Sequence, residues 1–309
     1  MLSPFVRILN FDGSVARQKK LLNRFAPIVV DFKKIGPHAR LWSNKKINNI
    51  VRRSLRQELR SAVTFLGSGD FHHISNLLIE QFLEPITVIV FDHHPDWDIL
   101  PPKSGCGAWV SRILERPNVA KVISLGMASD DLGFPSLMSA NLSSLIDSRL
   151  EIYPFSAPNT KVFFRSVPKN RSLETYKGFL SNKISWKALK GKDLKRFFEE
   201  LLPHIPTKKV YVSIDKDCLT PEAALTNWEQ GALSLEGLLI LLKTIKSNLD
   251  IVGLDIAGDH SKPVFASRSY CLRSKVLAQI ILVIISFIIS IYLVVVLFTI
   301  VSSAGTIAS

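Results

Sequence analysis

Short apolar stretches alternate with helix-like segments along most of this chain. The stretches rich in β-branched and aromatic residues predict strands at 5–10, 27–32, 63–66, 87–91, 121–125, 150–153, 161–167 and 209–214. Segments with helical periodicity lie at 48–59, 74–82, 108–114 and 193–202, whereas the polar, basic residues 168–190 predict an irregular insertion. This alternation predicts an α/β fold with a mostly parallel, doubly wound sheet.

Three of the predicted strands run directly into acidic residues and histidines. Alternate side chains of an extended segment project to the same side, so the acidic residues of each segment share a face. Because the carboxyl ends of parallel strands meet at one edge of a sheet, we expect the three segments to converge there. In chain order the converging side chains are His72 or His73, then Asp92, His94 and Asp96, then Asp215 and Asp217.

This set of carboxylates and imidazoles contains no thiolate, which favours a divalent ion such as Mn²⁺ over a structural zinc ion. The simpler alternative is a polar loop that caps the next element of secondary structure. Five ionisable groups among residues 92–98 argue against that alternative. The sequence therefore predicts a metal site at these strand ends.

The order of the three segments resembles the arginase and agmatinase (ureohydrolase) family, whose fold is shared with the histone deacetylases. The resemblance covers residues from about 60 to 260. It implies a three-layer arginase-like fold and two Mn²⁺ ions, held by the five residues of the two acidic segments and one histidine of the first. The family pattern Gly-Gly-Asp-His is interrupted here by Phe71, so either histidine can be the ligand. His73 is slightly favoured, because residues 74–82 predict the helix that follows.

The departures from the family pattern concern the substrate. Where the family has its guanidinium-binding glutamate this chain has Gly253, with Asp255 two residues later as a candidate substrate-binding residue. The proton-shuttling histidine of arginases is also absent from the segment 104–109. The resemblance therefore implies the metal site more strongly than it implies arginine as the substrate.

The loop at 226–231 contains further candidate substrate-binding residues, namely Asn227, Trp228 and Glu229. Asn227 or Glu229 is predicted to replace the missing carboxylate, and a capped surface turn is an equally good interpretation. Asp98 and Asp70 are candidate proton donors or acceptors for catalysis, or partners that orient His94 and His73.

Three functions remain open at this point. The first is a di-manganese hydrolase whose metal-activated hydroxide attacks a non-peptide C–N bond of an unidentified amidine-type or amide-type small molecule. The second is a catalytically silent, membrane-anchored interaction module. The third is a deacetylase-like amide hydrolase. Members of the family often form oligomers, so a homo-oligomer is also expected.

Charge and cysteine content add little about the reaction. The three cysteines, none in a Cys-x-x-Cys pair, indicate a reducing compartment. The formal net charge is +13, and residues 1–60 hold 14 Lys or Arg against three acidic residues. This basic surface contains no base-reading motif, so no nucleic-acid partner is expected.

The last part of the chain predicts a membrane anchor. Residues 276–301 carry no charged side chain. At ~1.5 Å per residue a helix of this length reaches ~39 Å, enough to cross a hydrocarbon core of ~30 Å. The expected organisation is a metallohydrolase domain at 1–262, a basic linker at 263–275, a transmembrane helix at 276–301 and a tail at 302–309. The basic residues before the span predict that the domain lies in the cytoplasm, with membrane lipid as a partner.

Overall fold

Strands and helices alternate through most of the chain, which is described here by a computed structural model for residues 5–55, 62–134, 136–163, 170–178 and 181–266. The strands are β1 (Phe5–Asn10), β2 (Ile28–Asp31), β3 (Ala62–Phe65), β4 (Ile86–Phe91), β5 (Val119–Leu125), β6 (Leu150–Tyr153), β7 (Thr160–Phe163), β8 (Leu173–Tyr176), β9 (Ser181–Trp186), β10 (Lys209–Asp215) and β11 (Asp250–Ala257). The α-helices are α1 (Lys19–Phe25), α2 (Gly36–Ala39), α3 (Lys45–Leu55), α4 (Ser75–Ile79), α5 (Trp109–Leu114), α6 (Leu142–Ile146), α7 (Leu194–Leu201) and α8 (Leu235–Asn248).

Eight of these strands form one parallel sheet in the order β2-β1-β3-β11-β10-β4-β5-β6. Strands β1 to β3 form one side of the sheet and β4 to β6 the other, and the last strands of the chain, β10 and β11, fill the middle between β3 and β4. Strand β4 is buried along its whole length, which explains why its sequence is a continuous apolar run rather than an alternating one. The predicted parallel α/β sheet is confirmed.

Helices cover both faces of this sheet and give a three-layer architecture. Along β4, Val88 and Val90 belong to one core cluster, which also contains the buried residues of α3, α4 and α5. Ile89 and Phe91 belong to a second cluster, built with α7 and α8. Side chains that alternate along a central strand therefore stabilise both layers at once.

A second sheet corrects the prediction of an irregular insertion at 168–190. Strands β7, β9 and β8 form a three-stranded antiparallel sheet. Only a few apolar residues along these strands are buried, among them Leu173, Ile184 and Trp186. Most of the remaining residues are polar, so the segment does not show the apolar pattern on which the strand prediction relied. Residues 164–167 of the strand predicted at 161–167 lie outside the described residues.

The predicted transmembrane helix needs a correction. Across the described part of the chain, no helix combines the length and apolar character needed to cross a membrane. The longest described helix, α8, has 14 residues and therefore spans ~21 Å, against ~30 Å for a hydrocarbon core. Residues 276–301 lie outside the described residues. The prediction of a transmembrane helix is wrong on this finding, and the membrane localisation, the cytoplasmic orientation and the lipid partner derived from it are withdrawn.

Candidate metal centre

The candidate centre lies at the carboxyl ends of β3, β4 and β10. Strand β10 pairs with β4 in a register that joins Ile214 to Phe91. The next residues on these neighbouring strands are Asp215 and Asp92, and both are buried. On the other side of β10, strand β11 pairs with β3, and the turn after β3 reaches the same edge. The strand order thus brings the three acidic or histidine-containing segments together.

The turn after β3 determines which histidine enters the centre. It is a buried 3-10 helix over Gly69–Ile74, capped by the side chain of Ser68, which accepts a hydrogen bond from the backbone N–H of Asp70. A side chain at Gly69 would bring its Cβ within 2.7 Å of Asp215 Oδ2, so the turn approaches β10 too closely for any other residue. In this turn His72 faces the carboxylates, with its Nδ1 at 3.0 Å from Asp92 Oδ2.

His73 lies on the other side of the turn. Its Nδ1 is 3.6 Å from Cys106 Sγ, and its Nε2 is buried with no hydrogen-bond partner among the described residues. The preference for His73 rested on an α-helix that begins at residue 74, whereas the 3-10 helix begins at residue 69. The earlier start changes the direction in which each histidine points.

Among the described residues, three groups of three side chains could each hold a metal ion, and two of these groups share Asp92. One consists of His72, Asp92 and Asp96, and the other of Asp92, His94 and Asp217, with the ligand atoms of each group within 4.8 Å of one another. In the second group, His94 Nδ1 lies 3.2 Å from Asp217 Oδ2. Asp215 adds a further carboxylate, with its Oδ2 at 3.6 Å from His72 Nδ1. Asp92 belongs to both groups and therefore lies between two adjacent candidate ion positions.

The geometry around His72 fits a cation. Nδ1 of His72 and Oδ2 of Asp92 are only 3.0 Å apart, yet in the described structure neither atom has a hydrogen-bond partner. Buried polar atoms without partners are rare in native proteins. Two ligand atoms that point at a common ion lie close together without pointing at each other, which is the arrangement seen here.

The electrostatics of the centre also call for positive charge. Burial and then the charge of Asp92 raise the pKa of Asp96, and burial and then the charge of Asp217 raise the pKa of Asp215. Burial and the charge of Asp92 raise the pKa of Asp217 to about 6. Burial alone would lower the pKa of His72, but the close carboxylate of Asp92 and the charges of its neighbours raise it to about 10. These carboxylates are crowded, and a divalent cation would relieve their repulsion.

Behind His72 lies a buried network that includes Asp255. His72 Nε2 is 2.8 Å from Ser213 Oγ, which donates a hydrogen bond to Asp255 Oδ1 at 2.8 Å. The hydroxyl of Tyr211 donates to Asp255 Oδ2 at 2.8 Å. Because Ser213 donates its proton to Asp255, it accepts from Nε2–H of His72, so a neutral, metal-bound His72 would use the lone pair of Nδ1, which faces the carboxylates. Asp255 thus lies behind the centre. It is not among the residues that line the cavity in front of the candidate ligands, which is described below.

A second positioning contact, missed by sequence reasoning, involves Trp109. Its indole Nε1 donates a hydrogen bond to Asp96 Oδ2 at 2.7 Å. Asp96 itself has a φ of 49°, in the left-handed region that few residues other than glycine adopt. This backbone turn and the bond from Trp109 together fix the direction of the Asp96 carboxylate. Trp109 begins α5 and gave no signal beyond its place on an apolar helix face.

A cavity of about 150 Å³ opens in front of the candidate ligands. Besides those ligands its lining includes Asp98, Asp131 and Trp228. Asp98 Oδ1 accepts a hydrogen bond from Ser139 Oγ at 2.7 Å. Burial and the charge of Asp131, opposed by that hydrogen bond, raise the pKa of Asp98 to about 6.

Asp70 does not line this cavity. Its Oδ2 forms a buried ion pair with Arg40, and its Oδ1 accepts a hydrogen bond from Trp228 Nε1 at 2.8 Å. Both oxygens are therefore engaged in holding other side chains. Trp228, in turn, lies edge-on to the ring of His94, with 5.6 Å between ring centroids.

The neighbours of Trp228 differ in their surroundings. Asn227 accepts from the backbone N–H of Ser261 and donates to its carbonyl, both at 2.8 Å, so it fixes the loop rather than facing the cavity. Glu229 is exposed and forms, with His93 and His94, a further group of potential ligands within 4.8 Å.

Two glycines of β11 and its end lie near the place where the resemblance predicts a guanidinium-binding glutamate. Gly253 lies in the first half of that strand against the ring of Tyr211. The residue that follows β11 at the edge of the sheet is Gly258, where an added Cβ would collide with Asp215 Oδ1. Its φ is +93°, a conformation that favours glycine. At the position that faces the centre, the chain therefore presents a glycine instead of a carboxylate.

Comparison with known proteins agrees with this fold. Residues 164–270 match a family model described as the Arginase family. An uncharacterized protein from Thermotoga maritima is 27% identical over 264 residues, which cover 84% of this chain and 81% of that protein.

Solved structures share the architecture at low sequence identity. Formimidoylglutamase from Bacillus subtilis has a TM-score of 0.54 and 15% identity, covering 90% of this chain and 85% of that one. Arginase from Entamoeba histolytica, crystallised with L-ornithine, has a TM-score of 0.55 and 13% identity over 89% of this chain and 99% of that one. An agmatine ureohydrolase from Thermoplasma volcanium has a TM-score of 0.51 and 13% identity, covering 90% and 88%. At these identities the likeness shows a common fold.

Proposed function

We propose that this chain, a divergent member of the arginase family, is a binuclear metal-dependent hydrolase acting on a non-peptide C–N bond of a small amidine-type or amide-type molecule. The observation that carries the proposal is the pair of ligand groups that share Asp92 at the carboxyl ends of adjacent strands. Carboxylate oxygens and imidazole nitrogens suit Mn²⁺. His72, Asp96 and Asp215 would complete one ion's surroundings, and His94 with Asp217 the other's.

Two such ions would supply an activated water and polarise the susceptible bond of the substrate. The chain's own residues would transfer the proton and hold the neighbouring side chains in position. Asp98 lines the cavity but belongs to neither ligand group, and Ser139 fixes one of its oxygens. We assign to Asp98 Oδ2 the transfer of a proton to the departing nitrogen. Asp70 is assigned a structural role, because Arg40 and Trp228 occupy both of its oxygens.

Turnover by the Mn²⁺-loaded protein tests this function directly. We expect one or more compounds from a panel of guanidines, amidines and acylated amines to be hydrolysed, with release of urea, ammonia or the free amine. His94→Ala is expected to lower the rate by about 1,000-fold, since metal assistance contributes several kcal/mol to the barrier. No turnover above the His94→Ala variant would instead support a catalytically silent interaction module. Release of acetate from acetylated amines alone would support the deacetylase-like function.

Asp255→Asn is expected to weaken the affinity for one Mn²⁺ ion by about 10- to 100-fold, as is usual when a partner behind a metal-binding histidine is changed. The reason is that Asp255 holds Ser213, and Ser213 fixes the orientation of His72. Competition with a coloured chelator measures this affinity without any substrate. Tyr211→Phe is the matched control, because it removes a bond to the other oxygen of Asp255 and should have a smaller effect. Unchanged metal affinity in folded Asp255→Asn protein would refute the positioning role.

A further inference from the structure

A third group of potential metal ligands, which consists of His93, His94 and Glu229, lies beside the candidate centre. The ligand atoms of these three side chains lie within 4.8 Å of one another. His94 also belongs to the group formed with Asp92 and Asp217, whereas His93 and Glu229 belong to neither of the groups that share Asp92. The third group therefore overlaps with the centre at a single side chain.

The main chain holds His93 in place from both sides. Its N–H donates a hydrogen bond to Asp217 Oδ1 at 3.0 Å, and its carbonyl accepts from the N–H groups of Ala128 and Ser129, both at 3.2 Å. The side chain is only 5% exposed, and its Nδ1 is buried with no hydrogen-bond partner among the described residues. Because a buried polar atom without a partner costs free energy, this imidazole is available to a ligand.

The loop that carries Glu229 is anchored on each side of this residue. The indole of Trp228 donates a hydrogen bond to Asp70, and the backbone N–H of Gly231 donates to the carbonyl of Asp217. Glu229 itself is exposed and, within the described part of the chain, forms neither a hydrogen bond nor an ion pair with either imidazole. A carboxylate that only neutralised a histidine would lie within hydrogen-bond distance of its ring. The observed spacing instead leaves room for an ion between the three side chains.

The donor atoms of the third group differ from those of the centre. Two imidazole nitrogens and one carboxylate oxygen form a set with which zinc enzymes bind Zn²⁺. The candidate centre is richer in oxygen, since four carboxylates accompany its two imidazoles, and this set suits Mn²⁺ better. A given set of ligands also binds Zn²⁺ more tightly than Mn²⁺. The third group therefore favours Zn²⁺.

We propose that His93, His94 and Glu229 form an inhibitory Zn²⁺ site whose occupation withdraws His94 from the candidate metal centre. A neutral imidazole carries a proton on one nitrogen and a lone pair on the other, so His94 binds one cation at a time. An ion in the third group leaves Asp92 and Asp217 as the remaining ligands of one ion of the centre. The inhibition rests on the proposed function, in that it takes His94 to be a ligand of the catalytic centre.

The test adds Zn²⁺ in steps to the full, Mn²⁺-loaded chain and measures released Mn²⁺ by its electron paramagnetic resonance signal. We expect one Mn²⁺ ion to leave each chain, because only one ion of the centre loses His94. In His93→Ala and in Glu229→Gln the Zn²⁺ concentration at half-release should rise at least about tenfold, since losing a ligand costs no less than losing a partner behind one. Glu229 is exposed, so Glu229→Gln decides the question even if His93→Ala protein folds poorly.

His260→Ala and Glu222→Gln are the matched controls, because both residues are exposed and neither belongs to any of the three groups. Each should release Mn²⁺ at the same Zn²⁺ concentration as the unaltered chain. If half-release were unchanged in both His93→Ala and Glu229→Gln, Zn²⁺ would be replacing Mn²⁺ directly in the centre and the proposal would be overturned. Failure of Zn²⁺ to release any Mn²⁺ would also overturn it.

The site and the proposed function can fail separately. The expected response to Zn²⁺ without turnover of any compound would contradict the hydrolase function and support the site. Turnover with an unchanged Zn²⁺ response in the variants would do the reverse. If the chain bound no Mn²⁺, competition with a coloured chelator would compare the Zn²⁺ affinities of the same variants, and equal affinities would overturn the site as well.

Discussion

Asp92→Asn is expected to abolish the binding of both metal ions and to reduce turnover to the level of the uncatalysed reaction. Asp92 is shared by the two ligand groups, and its two oxygens face His72 and His94 respectively. An amide offers one neutral oxygen in place of two charged ones, so neither ion keeps its full set of ligands. Metal analysis of the dialysed protein by mass spectrometry measures the loss.

The same substitution should also destabilise the metal-free protein. Burial raises the pKa of Asp92, but the close imidazoles of His72 and His94 outweigh burial and hold that pKa below its usual range, so the folded protein favours the charged carboxylate. The free energy of unfolding is therefore expected to fall by about 1 kcal/mol or more when this charge is removed. Denaturant unfolding after chelation measures this change. Asp98→Asn is the control: it should keep both ions and lower the rate by about 100-fold or more, as expected for loss of a proton-transferring group. Retention of both ions by Asp92→Asn would contradict the shared-ligand arrangement.

His72→Ala and His73→Ala form a second test with a built-in comparison. His72→Ala is expected to release one ion and to lower the rate by about 1,000-fold, since its Nδ1 faces Asp92, Asp96 and Asp215. His73→Ala is expected to retain both ions, because its ring faces Cys106. Both side chains are buried, so each substitution should cost a similar 2–4 kcal/mol of stability, and metal stoichiometry rather than stability separates them.

Metal content and thermal unfolding of the two variants, measured side by side, decide between the histidines. If His73→Ala protein lost one ion while His72→Ala protein kept both, the assignment of His72 would be wrong. A third variant, Cys106→Ser, removes the sulfur beside His73 and is expected to leave metal content unchanged.

The parallel sheet and the convergence of the acidic segments were accessible from the sequence because both follow from local patterns. A buried parallel strand such as β4 has a continuous apolar sequence, and its end determines where Asp92 and His94 begin. The choice between His72 and His73 was not accessible, because it depends on whether the turn after Gly69 is a 3-10 helix or an extended lead into an α-helix. No periodicity in six residues distinguishes the two.

Contacts between distant parts of the chain explain the other differences. Asp255 was predicted to bind substrate from its place two residues after Gly253, but strand pairing places it beside Ser213 and Tyr211, behind His72. The bond from Trp109 to Asp96 joins a helix to the preceding loop and leaves no trace in the residue pattern. That Asp98, Asp131 and Trp228 line one cavity is a property of the folded chain and could not be predicted from the residue pattern.

Gly258 limits how the specificity of this site can be changed. A glutamate introduced there would force its Cβ into the carboxylate of Asp215 and would require a left-handed backbone conformation that glutamate rarely adopts. A single substitution at this position would thus disturb the candidate metal centre before it could offer a carboxylate to a guanidinium group. An engineered change of specificity would therefore have to begin at other residues that line the cavity, such as Asp131 or Trp228.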